Sequence, residues 1–196
     1  SFLMRGHFNG ELWGLTMHPT MQQAYTVGEE NLLVNWDLVV RKAKAFTKLD
    51  FPSRTLHISQ DSKYLAVGCL NGSVLIIDPK SLAIITTLKD RQSEVTLVKF
   101  SPVTGGYLAV GFGAPDFEIF IYNVKANFKI QSKLKGSNTR VQHLDFSDDA
   151  AKVQFTNASN EIFHYDVKSG KREPNGVSLH RDEKWASWTV PLGFPV

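Results

Sequence analysis

The stretch that decides the fold is "LHISQDSKYLAVGCLNGSVLIIDP", Leu56 to Pro79. It opens with an apolar–polar–apolar triplet, passes through a polar turn into the short run "LAVG", and turns again at Asn71-Gly72. It ends in "VLII" followed by Asp78. Asn-Gly is a strong signal for a tight hairpin turn, and the apolar, β-branched runs around it favour strands. The stretch therefore predicts three short antiparallel strands.

The same order of features recurs three more times. The copies are "LTMHPTMQQAYTVGEENLLVNWDL" from Leu15, "VKFSPVTGGYLAVGFGAPDFEIFIYNV" from Val98 and "LDFSDDAAKVQFTNASNEIFHYDV" from Leu144. The third strands end at Trp36, Ile77, Tyr122 and Tyr165, which are 41, 45 and 43 residues apart. A period of about 40–45 residues is typical of a WD40 propeller blade. We predict an all-β, partial β-propeller of WD40-like four-stranded blades.

The repeats divide the chain into four predicted blades, at 1–47, 48–87, 88–133 and 134–180, and a remainder at 181–196. The remainder is predicted to be the first strand of a further, truncated blade. In "KWASWTV" the residues Trp185 and Trp188 alternate onto opposite faces, which suits an inner strand covered on both sides. The chain begins at Ser1 without a methionine, so we expect a fragment or a processed chain.

The bulk composition limits the classes of function. The chain has 196 residues, 42% of them apolar, which is enough for one domain with a core. A net charge of +3 is far from a balance that by itself indicates nucleic acid. No apolar run approaches the roughly 18 residues of a membrane span, so neither nucleic acid nor membrane is predicted as a partner. The single cysteine, Cys69, excludes an internal disulfide and fits a reducing compartment.

The stretch "GHFNGELWGLTMHP", Gly6 to Pro19, holds two histidines that raise the question of a metal site or a base. In the repeat register His18 aligns with the serines that follow the first strand of the other blades, so we predict a turn residue. His7 belongs to a Gly-His pair before the first strand and is expected to be structural rather than catalytic. Because the two positions are not equivalent within the blade, we predict that they bind no metal.

WD40 blades commonly link such a Gly-His pair to a Thr on the second strand and a Trp at the end of the third, through an Asp in the intervening turn. Here His7, Thr26 and Trp36 occupy these places, but Glu30 stands where the Asp is expected, which argues against a complete network. The other blades lack both the Gly-His and the Trp. We further expect Trp36 to be a core residue, because it aligns with the apolar or aromatic ends of the other third strands.

Basic residues cluster after the third strand of successive blades, around the predicted outer strand. The basic strip consists of Arg41, Lys42, Lys44, Lys125, Lys129, Lys133 and Lys135. A similar group, "KSGKR", follows in the fourth blade. One interpretation is a solvated edge, since outer strands protect themselves with lysine. The other is a surface that faces an acidic partner through salt-sensitive contacts.

The sequence carries no recognisable catalytic motif. It contains no HExxH, no His/Cys cluster and no G-x-S-x-G, and "GGYLAVGFG" lacks the Lys-Ser/Thr end of a P-loop. We therefore predict a non-enzymatic module without metal or cofactor. A propeller hydrolase is the rival from another class, and no nucleophile–base pair supports it.

Two landmarks go beyond a generic blade: "GHFNGELWGL" near the start and "DEKWASWTVPLGFP" near the end. Together with the blade order between them, they resemble the echinoderm microtubule-associated protein-like family over essentially the whole chain. The chain departs from that pattern at Pro191 and Pro195 and in the loops. The resemblance implies the latter part of a tandem propeller, with further blades of the same parent chain beside it.

The resemblance also implies a function. Members of this family bind microtubules, so we expect a propeller module that binds tubulin or microtubules and organises the cytoskeleton. The implied location is the cytoplasm and cytoskeleton, with the cilium or axoneme as the alternative site. A generic WD40 scaffold that assembles peptides or other proteins is the alternative function.

Overall fold

The regular secondary structure of the described residues is almost entirely β-strand. The computed structural model describes residue 7 and residues 9–191. In the first half lie β1 (Leu12–Met17), β2 (Gln23–Gly28), β3 (Leu32–Asp37), β4 (Lys42–Lys48), β5 (Ser53–Ile58), β6 (Leu65–Cys69), β7 (Val74–Ile77) and β8 (Ile84–Leu88). In the second half lie β9 (Val95–Phe100), β10 (Tyr107–Phe112), β11 (Ile119–Asn123), β12 (Lys129–Leu134), β13 (Val141–Phe146), β14 (Lys152–Asn157), β15 (Ile162–Asp166) and the short helix α1 (Gly176–Leu179).

The strands form four antiparallel sheets, each a meander of consecutive strands. The first three sheets are β1–β4, β5–β8 and β9–β12, and the fourth contains β13–β15. This confirms the all-β class and the meander predicted from the repeats. Within residues 9–191 the fourth sheet has no outer strand of the expected kind: Arg172 makes a single bridge to Tyr165 before α1 begins. Pro174 follows at once, and a proline has no N–H to continue a strand ladder.

The turn after each third strand is built in the same way. The Asp or Asn that ends the strand accepts hydrogen bonds from backbone N–H groups two or three residues ahead. These bonds run to Asp37 from Val39 (2.9 Å), to Asp78 from Lys80 (3.1 Å), to Asn123 from Ala126 (3.1 Å) and to Asp166 from Ser169 (2.8 Å). A residue at positive φ then completes the turn: Arg41, Leu82, Asn127 and Gly170. The strand-ending Asp or Asn of the repeat is therefore a turn cap.

The sheets also share their irregularities. An extra residue interrupts the pairing of the first strand at Trp13, Arg54 and Gln142. Another interrupts the fourth strand at Lys44, Ile85 and Gln131. Such bulges bend a strand and increase its twist. The repeats are thus copies in geometry as well as in sequence.

Two compact units carry these sheets, residues 1–98 and residues 99–196. In the first unit a core cluster includes Tyr25, Leu33, Leu56 and Ile77. In the second unit Phe155 stacks on Phe163, with ring centroids 4.9 Å apart. Each unit is held by apolar side chains on its inner strands, and strands such as β2, β6 and β7 are buried at every residue, on both faces of the sheet.

The expected inner strand near the end of the chain is not formed in residues 181–191. Trp185 makes a single antiparallel bridge to Ser147, directly after β13. Trp185 is buried whereas Trp188 is half exposed, so this segment is not covered on both faces. Residues 192–196 lie outside the described residues, and the division of the chain into blades remains a proposal.

Candidate functional site

The first-unit part of the basic strip lies on an open strand edge. Arg41 closes the turn before β4 at a φ of 56°, and Lys42 and Lys44 follow on the strand; all three are exposed. Among the described residues, no carboxylate oxygen lies within ion-pair distance of these three cations. Lys48, which was not among the predicted members of the strip, is exposed on the same strand. These cations are available to a partner.

The second-unit part of the strip is more engaged with its own sheet. Lys133 places its ammonium 4.6 Å from the centre of the Phe120 ring, and Lys135 pairs with Glu118 at 3.1 Å. The carbon stem of Lys125 lies over Gly105, where a Cβ added to the glycine would come within 3.1 Å of the lysine Cε. Lys129 is exposed at the start of β12. The seven residues of the strip therefore fall into one group per unit, with different surroundings.

The predicted blade network brings three side chains together and includes the acidic residue that was expected to break it. The indole N–H of Trp36 donates to Thr26 Oγ1 at 2.7 Å. His7 Nε2 lies 2.7 Å from the same hydroxyl, and His7 Nδ1 is hydrogen-bonded to Glu30. The carboxylate fixes the tautomer with the proton on Nδ1, so the Thr26 hydroxyl donates to Nε2. Glu30 thus does what an Asp does in a standard blade.

Trp36 itself is only partly buried, and the expectation of a core residue is wrong in that respect. The residues at the same place in the other sheets, Ile77, Tyr122 and Tyr165, are buried. The polar indole N–H and its hydrogen bond explain why a tryptophan tolerates this boundary position.

His18 lies in the turn after β1, as predicted. Its Nδ1 accepts hydrogen bonds from the backbone N–H groups of Thr20 (3.2 Å) and Met21 (3.1 Å). The serine hydroxyls at the same place in the other sheets accept a different bond, from the backbone N–H five or six residues ahead, where the second strand begins. Burial, followed by the charge of Lys44, lowers the pKa of His18. The ring therefore acts as a neutral acceptor that caps the turn.

A model of a known protein family supplies the decisive comparison. The model described as the echinoderm microtubule-associated protein second beta-propeller matches residues 12–196. The chain belongs to the echinoderm microtubule-associated protein family. Its fold is therefore a partial β-propeller, and the resemblance carried by the two sequence landmarks is confirmed.

Individual members of the family agree. The chain is 29% identical to echinoderm microtubule-associated protein-like 2 of Mus musculus, over 100% of this chain and 30% of the relative. It is 29% identical to echinoderm microtubule-associated protein-like 3 of Homo sapiens, over 99% of this chain and 22% of the relative. It is also 29% identical to the 77 kDa echinoderm microtubule-associated protein of Lytechinus variegatus, over 95% of this chain and 28% of the relative. The chain thus spans less than a third of the length of these relatives.

One landmark of the family resemblance, "WASWT", has a structural role that the sequence did not reveal. Asp145 on β13 is fully buried, and its carboxylate accepts bonds from the backbone N–H groups of Thr189 and Val190, both at 2.9 Å. It also accepts from the hydroxyls of Ser187 (2.5 Å) and Thr189 (2.7 Å) and from Lys99 Nζ (2.9 Å). The landmark is therefore held to β13 by hydrogen bonds to a single carboxylate, and we call these bonds the clamp.

The electrostatics of this clamp favour the ionised acid. Burial by itself raises the pKa of Asp145, but the charge of Lys99 and the bonds from Ser187 and Thr189 outweigh it and leave the pKa below its ordinary value. A buried carboxylate needs such a counter-charge and donors to stay ionised. Nothing in the sequence signalled this role, because Asp145 stands at the polar middle position of the triplet that opens each repeat, where the other copies have Thr16, His57 and Lys99.

A second polar cluster lies beside the clamp in this family member. His164 on β15 stacks on His180 with ring centroids 5.7 Å apart, and Trp185 lies 6.1 Å away. His180 is hydrogen-bonded to Glu173, which also pairs with Lys152. Burial and the neighbouring His180 lower the pKa of His164 to about 4. The contacts of this cluster hold the segment after β15 against the sheet. The histidine that the lowered pKa keeps neutral is His164.

Two other kinds of site are absent from the described part of the chain. Within residues 7 and 9–191, no three His, Cys, Asp or Glu side chains are grouped closely enough to hold a metal ion. No helix there has the length and apolar character needed to cross a bilayer.

Proposed function

We propose that this chain is a non-enzymatic propeller module of a microtubule-associated protein, which binds tubulin or microtubules and takes part in organising the cytoskeleton. The observation that carries the proposal is the match of residues 12–196 to the second propeller of the family. Relatives whose names include microtubule-associated protein match 95–100% of the chain. The corresponding location is the cytoplasm and its cytoskeleton.

The basic strip is the surface proposed to meet the acidic partner. Its first-unit members are exposed and unpaired within the described residues, and its second-unit members Lys125 and Lys129 are exposed as well. Each exposed ion pair is worth only about 0.2–1 kcal/mol, so several must act together. At physiological salt, charges more than about 8 Å apart are largely screened, and only near contacts persist.

Co-sedimentation of the full-length protein with microtubules tests both parts of the proposal. Wild type is expected to pellet at low salt and to pellet less as salt rises. A variant with Lys42, Lys44 and Lys129, which are exposed, changed to Glu should stay in the supernatant while its melting curve is unchanged. If this variant pellets as much as wild type, the strip is a solvated edge and not a binding surface.

The second candidate function is a scaffold that assembles other proteins. It is favoured by a group of residues on the first unit, in which the guanidinium of Arg54 lies 4.9 Å above the ring of Trp13. The indole N–H of Trp13 donates to Glu29 at 3.2 Å. Tryptophan and arginine are the residues most enriched at binding hot spots. A wild-type protein that never pellets with microtubules, yet loses another partner on Trp13→Ala, would establish this function instead.

A further inference from the structure

The outer edge strand β4 presents an aromatic ring, whereas the exposed apolar residues of β8 and β12 are isoleucines. Phe46, in the middle of the strand, is 71% exposed. By the pairing register, the same place holds Thr87 in β8 and Lys133 in β12. The turn before the strand adds Val39 and Val40, both exposed. A strand that needed only protection from aggregation would not present an aromatic ring there.

This apolar surface is framed by cations. Arg41, Lys42, Lys44 and Lys48 are all exposed, and none has a carboxylate within ion-pair distance in the part of the chain that the structure describes. Lys44 and Lys48 stand on either side of Phe46 in "KAKAFTK", so charge and apolar contact are offered together. The complementary ligand is acidic and carries at least one apolar side chain.

The backbone of β4 also offers unpaired groups. β4 pairs only with β3 among the described strands. The N–H of Leu49 donates to the carbonyl of Asn31, so the pair next to it, Leu32 and Lys48, is a non-hydrogen-bonded pair of the antiparallel ladder. The alternation repeats at Val34 and Phe46. The N–H and C=O groups of Phe46 and Lys48 therefore point away from the sheet, where an added strand would accept and donate.

We propose that the edge of β4 binds an extended acidic peptide, which adds to the first sheet as a further strand. Main-chain hydrogen bonds to Phe46 and Lys48 would hold the peptide, the Phe46 ring would contact its apolar side chain, and Arg41, Lys42, Lys44 and Lys48 would pair with its carboxylates. The proposal rests on the proposed function only in that it assigns a ligand to the first-unit part of the basic strip.

The test is direct binding of a fluorescently labelled peptide of alternating glutamate and valine to the full-length protein, measured by anisotropy. Wild type should bind and lose affinity with salt. Phe46→Thr, which installs the residue of the second sheet, should weaken binding about tenfold by removing the apolar contact. Lys42→Glu with Lys48→Glu should abolish binding. The matched control Lys80→Glu changes an exposed lysine in the equivalent turn of the second sheet and should leave affinity unchanged.

The same peptide with alternate backbone nitrogens methylated keeps its charge and side chains but cannot pair as a strand. Equal binding of the methylated peptide overturns the proposal, as does failure of the unmethylated peptide to bind. If anionic vesicles displace the peptide and both peptides bind equally well, the edge of β4 is a lipid-binding surface. That result also overturns the proposal. No tubulin enters this assay, so peptide binding without microtubule pelleting refutes the proposed function and leaves this inference standing.

Discussion

At the residue scale, Thr26 shows how one hydroxyl joins two strands and a loop. It accepts from Trp36 on β3 and donates to His7, which is held in turn by Glu30. In this relay each donor has the next group as its acceptor: the Trp36 N–H donates to Thr26, the Thr26 hydroxyl to His7, and the His7 N–H to Glu30. The relay needs all three side chains, which explains why the histidine, the threonine and the tryptophan occur together. In this sequence they do so only in the first repeat.

Thr26→Val should destabilise the protein by about 1–3 kcal/mol, because the buried indole N–H and the imidazole nitrogen lose their partner while the shape is kept. Valine is tolerated sterically, since Val67 holds the equivalent place in β6. Chemical denaturation measures the loss. In the background Trp36→Phe, which has no N–H to satisfy, the added cost of Thr26→Val should be smaller. Equal costs in both backgrounds would show that the relay contributes nothing.

His164 predicts a pH dependence of stability. Its pKa is about 4 in the folded protein and 6.5 when unfolded, so the unfolded chain takes up a proton first as pH falls. Stability is intact above pH 6.5 and declines below it, by about 2–3 kcal/mol by pH 4.5. Denaturation midpoints across this range measure the slope.

The control for this prediction is His164→Ile, which installs the residue found at the same place in β7 and β11. This variant should lose most of the slope between pH 6.5 and 4.5, and the lowered pKa of His18 should leave a smaller slope of the same sign. The lowered pKa values of Asp145 and Glu173 act at more acidic pH, below their ordinary values of 3.8 and 4.5. An unchanged slope in the variant would assign the pH effect to another group.

At the scale of elements, the clamp on Asp145 replaces a strand ladder by side-chain bonds. The segment 185–190 makes one backbone bridge to Ser147, but several bonds to a single carboxylate on β13. This arrangement holds the segment without continuous pairing. It also makes the segment depend on the charge of one residue.

Asp145→Asn should release that segment, because the amide has one acceptor oxygen instead of two and no charge. Either the N–H groups of Thr189 and Val190 or the donors on the other oxygen lose their acceptor, and Lys99 loses its counter-charge. A loss of about 3–5 kcal/mol is the usual result of breaking a buried pair. Hydrogen exchange at Thr189 and Val190 should become faster. Asp148→Asn, at an exposed neighbour, is the matched control and should leave exchange unchanged. Slow exchange at Val190 in Asp145→Asn would contradict the clamp.

At the scale of the whole molecule, the first sheet ends in an exposed apolar edge strand. β1 pairs only with β2 among the described strands, and Leu15 and Met17 project from the same face, 65% and 52% exposed. Unpaired strand edges with apolar faces associate unless they are covered. The chain should therefore self-associate as its concentration rises.

Leu15→Lys with Met17→Lys should reduce that association, because both side chains are already exposed and added charge on an edge strand opposes pairing. Sedimentation velocity at increasing concentration measures it. Leu179→Lys, on the exposed helix α1, controls for net charge and should not change association. A wild-type chain that remains monomeric throughout would contradict the prediction.

Much of the fold was predictable because its signals are local. Asn71-Gly72 marks a hairpin, and the Asp or Asn after each third strand caps the turn that follows it, so four similar meanders could be inferred from four similar stretches. The exposed cations of the basic strip were equally visible, since lysines around a predicted turn and outer strand need no knowledge of the fold. The repeat period predicted the propeller class, and the two landmarks identified the family.

Only the tertiary structure decided how distant segments meet. Aligned by eye, the runs "YTVG" and "LAVG" make Thr26 equivalent to Ala66. Strand pairing places Thr26 opposite Val34, and its equivalent in the second sheet is Val67, one residue after Ala66. Glu30 completes a network it was expected to break, and Asp145 holds residues more than forty positions away. Local propensity fixes a turn or a strand within a few residues. Register and buried charge depend on which surfaces pack together, and that is settled by the folded chain as a whole.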